Sequence, residues 1–232
     1  MALHIGIVAC SAEGAALCYR TLCAEAARTM GPHAHPEVSL HGLPLSDYMD
    51  CLERGDLEGV AALMLRSANA LAAAGADFLV CPDNTIHQAM PWVLRASPRP
   101  WLHIAEVVAG EAVRRGFRRV GITGTRWLVD SEVYPQALSA RGLEWRRPLP
   151  EDRQAMARII MDELVRGDFR PGSVQAFQQI IGRLRGDGCD AVVLGCTEIP
   201  LIIDDANSPL PTLDSTRLLA RAALRHALAA DR

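Results

Sequence analysis

The sequence predicts an α/β protein of two pseudo-symmetric lobes, each a small parallel sheet flanked by helices, and three observations predict it. Short β-rich runs alternate with longer amphipathic stretches, the pattern of parallel strands joined by helical crossovers. The chain has 232 residues, half of them hydrophobic, enough to bury a substantial core. Three segments also recur in the same order at nearly the same spacing, as an internal duplication requires.

The strand candidates are, in order, HIGIVAC (4–10), EVSLHGLPL (37–45), DFLVC (77–81), PWLHI (100–104), RRVGITG (118–124), DAVVLGC (190–196) and LPTLDS (210–215). They are β-rich in composition, and most have a Gly, Pro, Ser or Asp within or beside their C-terminal ends. Between them, 54–74, 105–116, 151–167, 173–186 and 216–229 carry apolar residues at helical spacing.

The repeat relates GADFLVCPDNT, from Gly75, to GCDAVVLGCTE, from Gly188, an offset of 113. IGIVACS from Ile5 resembles VGITGTR from Val120, an offset of 115, and PWLHIA from Pro100 resembles PTLDST from Pro211, an offset of 111. The implied lobes are residues 1–104 and 105–215, with a C-terminal helix, 216–232, packing back on the first. The expected active site lies in a cleft faced by the strand C-termini of both lobes, where loops and helix N-termini supply N–H donors.

A net charge of −3 gives no reason to expect nucleic acid or an anionic membrane as partner. No apolar stretch approaches the ~20 residues of a membrane span, and MALHIGIVAC lacks a basic n-region and a small-residue cleavage site, so the expected location is the cytoplasm. Seven cysteines, an odd number with no C-x-x-C pair, read as free thiols rather than disulfides or zinc ligands. All 24 basic residues are arginine. Without lysine the chain cannot hold pyridoxal phosphate as a Schiff base or form a phosphate loop ending in Lys. No cofactor and no metal is expected.

Within the repeat, Asp83 falls opposite Cys196, Asn84 opposite Thr197 and Thr85 opposite Glu198. Cys81 pairs with the apolar Leu194 and is the poorer candidate for chemistry. LGCTEIPLII (194–203), PTLDST (211–216), NTIH (84–87), LHIAE (102–106) and GITGTR (121–126), with a looser match at IGIVACSAEGAALCYR (5–20), together resemble the aspartate/glutamate racemase family. The resemblance covers almost the whole chain. It implies two pseudo-symmetric lobes and cofactor-independent removal of a Cα proton from one face of an amino acid, with delivery of a proton to the other. Most members use two cysteines. Cys196 matches the second, whereas the first position, immediately before Asn-Thr, holds Asp83. The family's Asn-Thr pair contacts the substrate carboxylate, which carries over to Asn84 and Thr85.

Racemisation needs one deprotonated and one protonated group on opposite faces of the substrate. Reference pKa values of about 3.9 and 8.5 make Asp83 carboxylate plus Cys196 thiol the resting pair. The opposite assignment is uphill by roughly 6 kcal/mol before the site adjusts either group. Thr197, with Asn84, Thr85 and backbone N–H groups, could bind the substrate carboxylate and its developing charge. Ser11 and Thr125, in the other pair of repeated turns, are weaker binding candidates. His87 could support Asp83 or face the core, and Glu198 could orient the Cys-Thr pair or cap a helix. His103 and Asp214 are repeat partners at strand ends, and any of the hydroxyls could be a helix N-cap instead. The side-chain pocket, where related enzymes place a polar residue, has Leu52.

The leading expectation is therefore an amino-acid racemase or epimerase. The alternatives are a decarboxylase or cis–trans isomerase of a small carboxylic acid acting through Cys196 alone, and a ligand-binding member without turnover. Apolar stripes on 54–74 and 216–229 could form a homodimer face, although core packing explains the same pattern.

Overall fold

The structure is a computed structural model that describes residues 2–229. It divides into two compact units, the first running to Val107 and resuming at Thr216, the second Val108–Ser215. Each contains one four-stranded, all-parallel sheet.

The first unit runs β1 (Ile5–Ala9), α1 (Ala12–Met30), β2 (Val38–Gly42), α2 (Leu45–Glu53), α3 (Leu57–Ala73), β3 (Phe78–Val80), a 3₁₀ turn (Thr85–Ala89), α4 (Met90–Ala96), β4 (Trp101–Leu102) and α5 (Ile104–Arg114), which crosses into the second unit. The second continues with β5 (Arg119–Thr123), α6 (Arg126–Val129), α7 (Val133–Ser139), β6 (Glu144–Arg146), α8 (Pro150–Arg158), α9 (Pro171–Gly186), β7 (Ala191–Leu194) and β8 (Thr212–Asp214). α10 (Ser215–Ala229) then returns to the first unit. Positions 230–232 of the expected C-terminal helix lie outside the described residues.

The strand orders are β2-β1-β3-β4 and β6-β5-β7-β8, so the second sheet repeats the first with every strand number raised by four. The Gly-x-Asp of the repeat has one function in both. Gly75 (φ +96) and Gly188 (φ +83) end α3 and α9 in a left-handed conformation that other residues adopt at a cost. Two residues later, Asp77 accepts from His4 N at 2.8 Å, and Asp190 accepts from Arg118 N and Arg119 N at 2.8 and 3.1 Å. Each aspartate thereby ties the start of its strand to the neighbouring one.

The central strands β1, β3 and β7 are buried along their whole length, whereas the edge strand β6 is mostly exposed. α10 lays Leu219, Ala220, Ala223 and Ala227 against Ile5, Ile7, Phe78 and Val80 in the first core, and Leu3 N donates to Ala227 O at 3.0 Å. In the second core, Phe177, Ile180, Ile181 and Leu184 of α9 pack with Val192 and Leu194 of β7.

The expected helix 151–167 is not continuous. α8 ends at Arg158 and passes into a π turn (Ile159–Glu163) and a 3₁₀ turn (Leu164–Arg166), stopped by Gly167 at φ +74. Apolar spacing locates the buried face but does not distinguish helical types that bury nearly the same residues.

Candidate active site

In the first unit the candidate residues follow the C-terminal end of β3. Asp83 Oδ1 accepts from Thr85 N at 2.9 Å and from Ile86 N at 3.2 Å, so its side chain caps the 3₁₀ turn that follows. Asn84 and Thr85 are buried in the same turn. Ser11, beyond the end of the adjacent strand β1, is the N-cap of α1 and accepts from Gly14 N at 3.2 Å.

His87 reaches back over this turn. Its Nδ1 lies 2.7 Å from Asp83 O, and its Nε2 lies 3.4 Å from Ile104 N. A backbone N–H can only donate and a carbonyl can only accept, so these partners assign the proton to Nδ1. Burial, with His103 beside it, pushes the His87 pKa well below the usual histidine value and keeps the ring neutral near pH 7. The two imidazoles meet edge to face at 4.6 Å between centroids. Burial also lowers the His103 pKa, and His103 Nδ1 is buried without a hydrogen-bond partner.

In the second unit the corresponding turn follows β7. Gly195 N donates to Thr123 O at 3.0 Å, holding the chain against β5 as it leaves the sheet. Cys196 Sγ then donates to Glu198 Oε2 at 2.9 Å, and Thr197 Oγ1 donates to the same oxygen at 2.6 Å. All three residues are at least nine-tenths buried. Glu198 thus acts on the thiol directly, and the carboxylate at the end of that bond favours the protonated form of the sulfur. Thr125 is the N-cap of α6, accepting from Leu128 N at 3.3 Å.

The structure therefore groups Asp83, Asn84, Thr85 and His87 in one turn of the first unit, and Cys196, Thr197 and Glu198 in one turn of the second. Ser11 and Thr125 stand at the adjacent strand ends. Cys81 is fully buried, and burial followed by the charge of Asp83 pushes its thiol well above the usual range. Sequence reading passed over two buried side chains of the first unit: Cys10, which directly follows β1, and Tyr48, on α2. Nothing in the spacing of either marks it. Among the described residues no group of three or more His, Cys, Asp or Glu comes together as a metal-binding set.

Comparison with known proteins agrees with this architecture. Residues 6–223 match the family model described as Asp/Glu/Hydantoin racemase. The broad specificity amino-acid racemase RacX of Bacillus subtilis is 24% identical over 198 residues, covering 84% of this chain and 83% of that one. The crystal structure of a Yersinia pestis protein, assigned provisionally as an Asp/Glu racemase, superposes with a TM-score of 0.90 at 28% identity, covering 97% and 99% of the two chains. An aspartate racemase homologue from Pyrococcus horikoshii gives 0.84 at 26% identity with the same coverage. With its duplicated four-stranded sheets and a family match spanning nearly its whole length, this chain belongs to the Asp/Glu/hydantoin racemase family and is an isomerase of the racemase type.

Proposed function

We propose that this protein is a cofactor-independent amino-acid racemase or epimerase in which Asp83 and Cys196 serve opposite faces of the substrate Cα. The observation that carries the reading is the Cys196–Glu198 hydrogen bond of 2.9 Å, which holds a protonated thiol at the position the repeat relates to Asp83. The resting pair is then a carboxylate and a thiol. Asp83 accepts the Cα proton, and Cys196 delivers its own to the other face. Asn84, Thr85 and Thr197 bind the substrate carboxylate, on which charge accumulates as the proton leaves.

Asp83 and Cys196 are chemically unequal, so the two directions use different protonation states of the free enzyme. Enantiomers have equal free energy, and kcat/KM must still match in both directions. The less populated protonation state is therefore the more reactive one. The substrate is an α-amino acid. The acidic amino acids head the panel because relatives are described as aspartate and Asp/Glu racemases, and the breadth attributed to the Bacillus subtilis relative extends it to other side chains.

The test is incubation with a panel of enantiopure amino acids in D2O, following Cα deuterium and chirality together. Deuterium in both enantiomers is the expected result, abolished in Cys196→Ser and strongly reduced in Asp83→Asn, which keeps a side-chain oxygen for the cap. The two backbone N–H bonds to Asp83 Oδ1 favour a second reading, in which Asp83 is only a cap and Cys196 alone protonates a carbanion left by decarboxylation. Carbon dioxide released from a substituted malonate, without exchange on any amino acid, would establish that alternative.

A further inference from the structure

The two turns that carry Asp83 and Cys196 hold their backbones differently. The repeat's offset of 113 relates Asp83 to Cys196, Ile86 to Ile199 and His87 to Pro200. In the second unit Ile199 N donates to the Cys196 carbonyl at 3.3 Å, closing the turn on its own backbone. In the first, the equivalent Ile86 N donates at 3.2 Å to the Asp83 side chain, on the same Oδ1 that accepts from Thr85 N at 2.9 Å. A carboxylate at this position draws off the N–H that the carbonyl takes in the other unit. The Asp83 carbonyl receives the His87 Nδ1–H instead, at 2.7 Å. Pro200, at the matching position, has no side-chain donor to offer.

A second, independent observation is what else His87 holds. Its Nε2 accepts from the N–H of Ile104 at 3.4 Å, and Ile104 opens α5. The first N–H groups of a helix have no partner within it, so the ring caps α5 and anchors the Asp83 carbonyl at once. The imidazole is rigid, 1% exposed and packed edge to face on His103. With Oδ1 tied to two N–H groups of the turn, the carboxylate moves with the Asp83 backbone. Whatever fixes that backbone aims the carboxylate as well.

We propose that His87 is a positioning residue, which aims the Asp83 carboxylate by holding the Asp83 carbonyl. This rests on the racemase reading and deepens it: the aspartate and the histidine four residues on act as one unit. His87 touches neither the substrate nor the transferred proton. It keeps its Nδ1 proton throughout, because the carbonyl can only accept and the Ile104 N–H can only donate. Its contribution is geometric. A displacement of about 1 Å at a reacting group costs on the order of 100-fold in rate, and a released Asp83 carbonyl lets the carboxylate shift by that much.

The test is Cα deuterium exchange in D2O by the full chain, by His87→Ala and His87→Asn, and by His87→Ala combined with Asp83→Asn. His87→Ala is expected to lower kcat for exchange about 100-fold. In His87→Asn the amide reaches the position of Nδ1 and keeps the bond to the carbonyl, so it should recover about 10-fold of that loss. On the Asp83→Asn background no base is left to aim, and adding His87→Ala should lower exchange little further. A merely structural histidine would cost as much there as in the unaltered chain, and that result overturns the proposal. So does His87→Asn no better than His87→Ala. Should the variants fail to fold, 15N spectra of the histidine rings in the unaltered chain near pH 7 decide: a proton on Nδ1 of His87 supports the proposal, and one on Nε2 overturns it. Absence of exchange by the unaltered chain on every amino acid overturns the racemase reading and the role of His87 with it. Exchange by the unaltered chain that a folded His87→Ala leaves intact overturns the role of His87 alone.

Discussion

Cys196 Sγ and Glu198 Oε2 stand 2.9 Å apart in a buried turn, and the same oxygen takes the Thr197 hydroxyl at 2.6 Å. One carboxylate oxygen therefore receives two side-chain donors, and its charge opposes ionisation of the sulfur. Replacing Glu198 by Gln keeps an acceptor and removes the charge. The expected outcome is faster alkylation of Cys196 at neutral pH, by about 10-fold, together with a loss of racemisation. Unchanged alkylation would mean that the carboxylate does not control the thiol. Glu198→Ala leaves both donors without this acceptor and should also cost about 1–3 kcal/mol in stability.

His87 connects the site to stability through protonation. It is 1% exposed and its pKa lies well below the usual histidine value, with burial as the main cause. In the unfolded chain it binds a proton below about pH 6.5, so between the folded and unfolded values the unfolded state holds more protons. Stability from the neutral, buried ring is complete above about pH 6.5. It falls as the pH drops below that, by up to about 1.4 kcal/mol per pH unit. Urea unfolding from pH 7.5 to 5 should show this decline, and His87→Asn should flatten it. His103, also shifted down by burial, adds in the same direction.

These predictions draw unequally on sequence and structure. Apolar runs bounded by Gly and Asp marked β1, β3, β5 and β7 because central strands are buried on both faces and tolerate little else. β6 escaped because its sequence, Glu-Trp-Arg, lies on a largely exposed edge where packing constrains composition weakly. Asp83 and Cys196 were legible from the repeat, which aligns residues by position. Tyr48 comes from α2, whose β2 precursor is an edge strand without a recognisable mate in the repeat. The tautomer of His87 required two backbone partners, one of them seventeen residues away.

The buried thiols offer a chemical test of which cysteines the protein can use. Burial pushes Cys18 up to about 12 and Cys81 well above the ordinary range. Thiolate is the nucleophile, so both should be inert to iodoacetamide at pH 7.5 in the folded chain and react promptly in urea. Peptide mapping after timed labelling measures this directly. Fast native labelling of Cys81 would contradict its assignment to the core.

Gly195 fixes where Cys196 begins. A Cβ built there would lie 2.5 Å from Thr123 O and 2.6 Å from Leu128 Cδ2, and the first of these atoms is backbone that already accepts the Gly195 N–H at 3.0 Å. Gly195→Ala must push β7 away from β5 at the residue before the thiol. The expected cost is about 1–3 kcal/mol, with a drop in turnover larger than the stability loss explains, because Cys196 and its bond to Glu198 move with the backbone. Gly182→Ala is the matched control: it lies within α9, and nothing stands within 4 Å of its added Cβ. It should stabilise the protein by about 0.5–1 kcal/mol through helix propensity and leave turnover alone. Urea midpoints and kcat measured on the two variants separate the effects. Equal behaviour of the two would show that the contact between β5 and β7 does not set the position of the thiol.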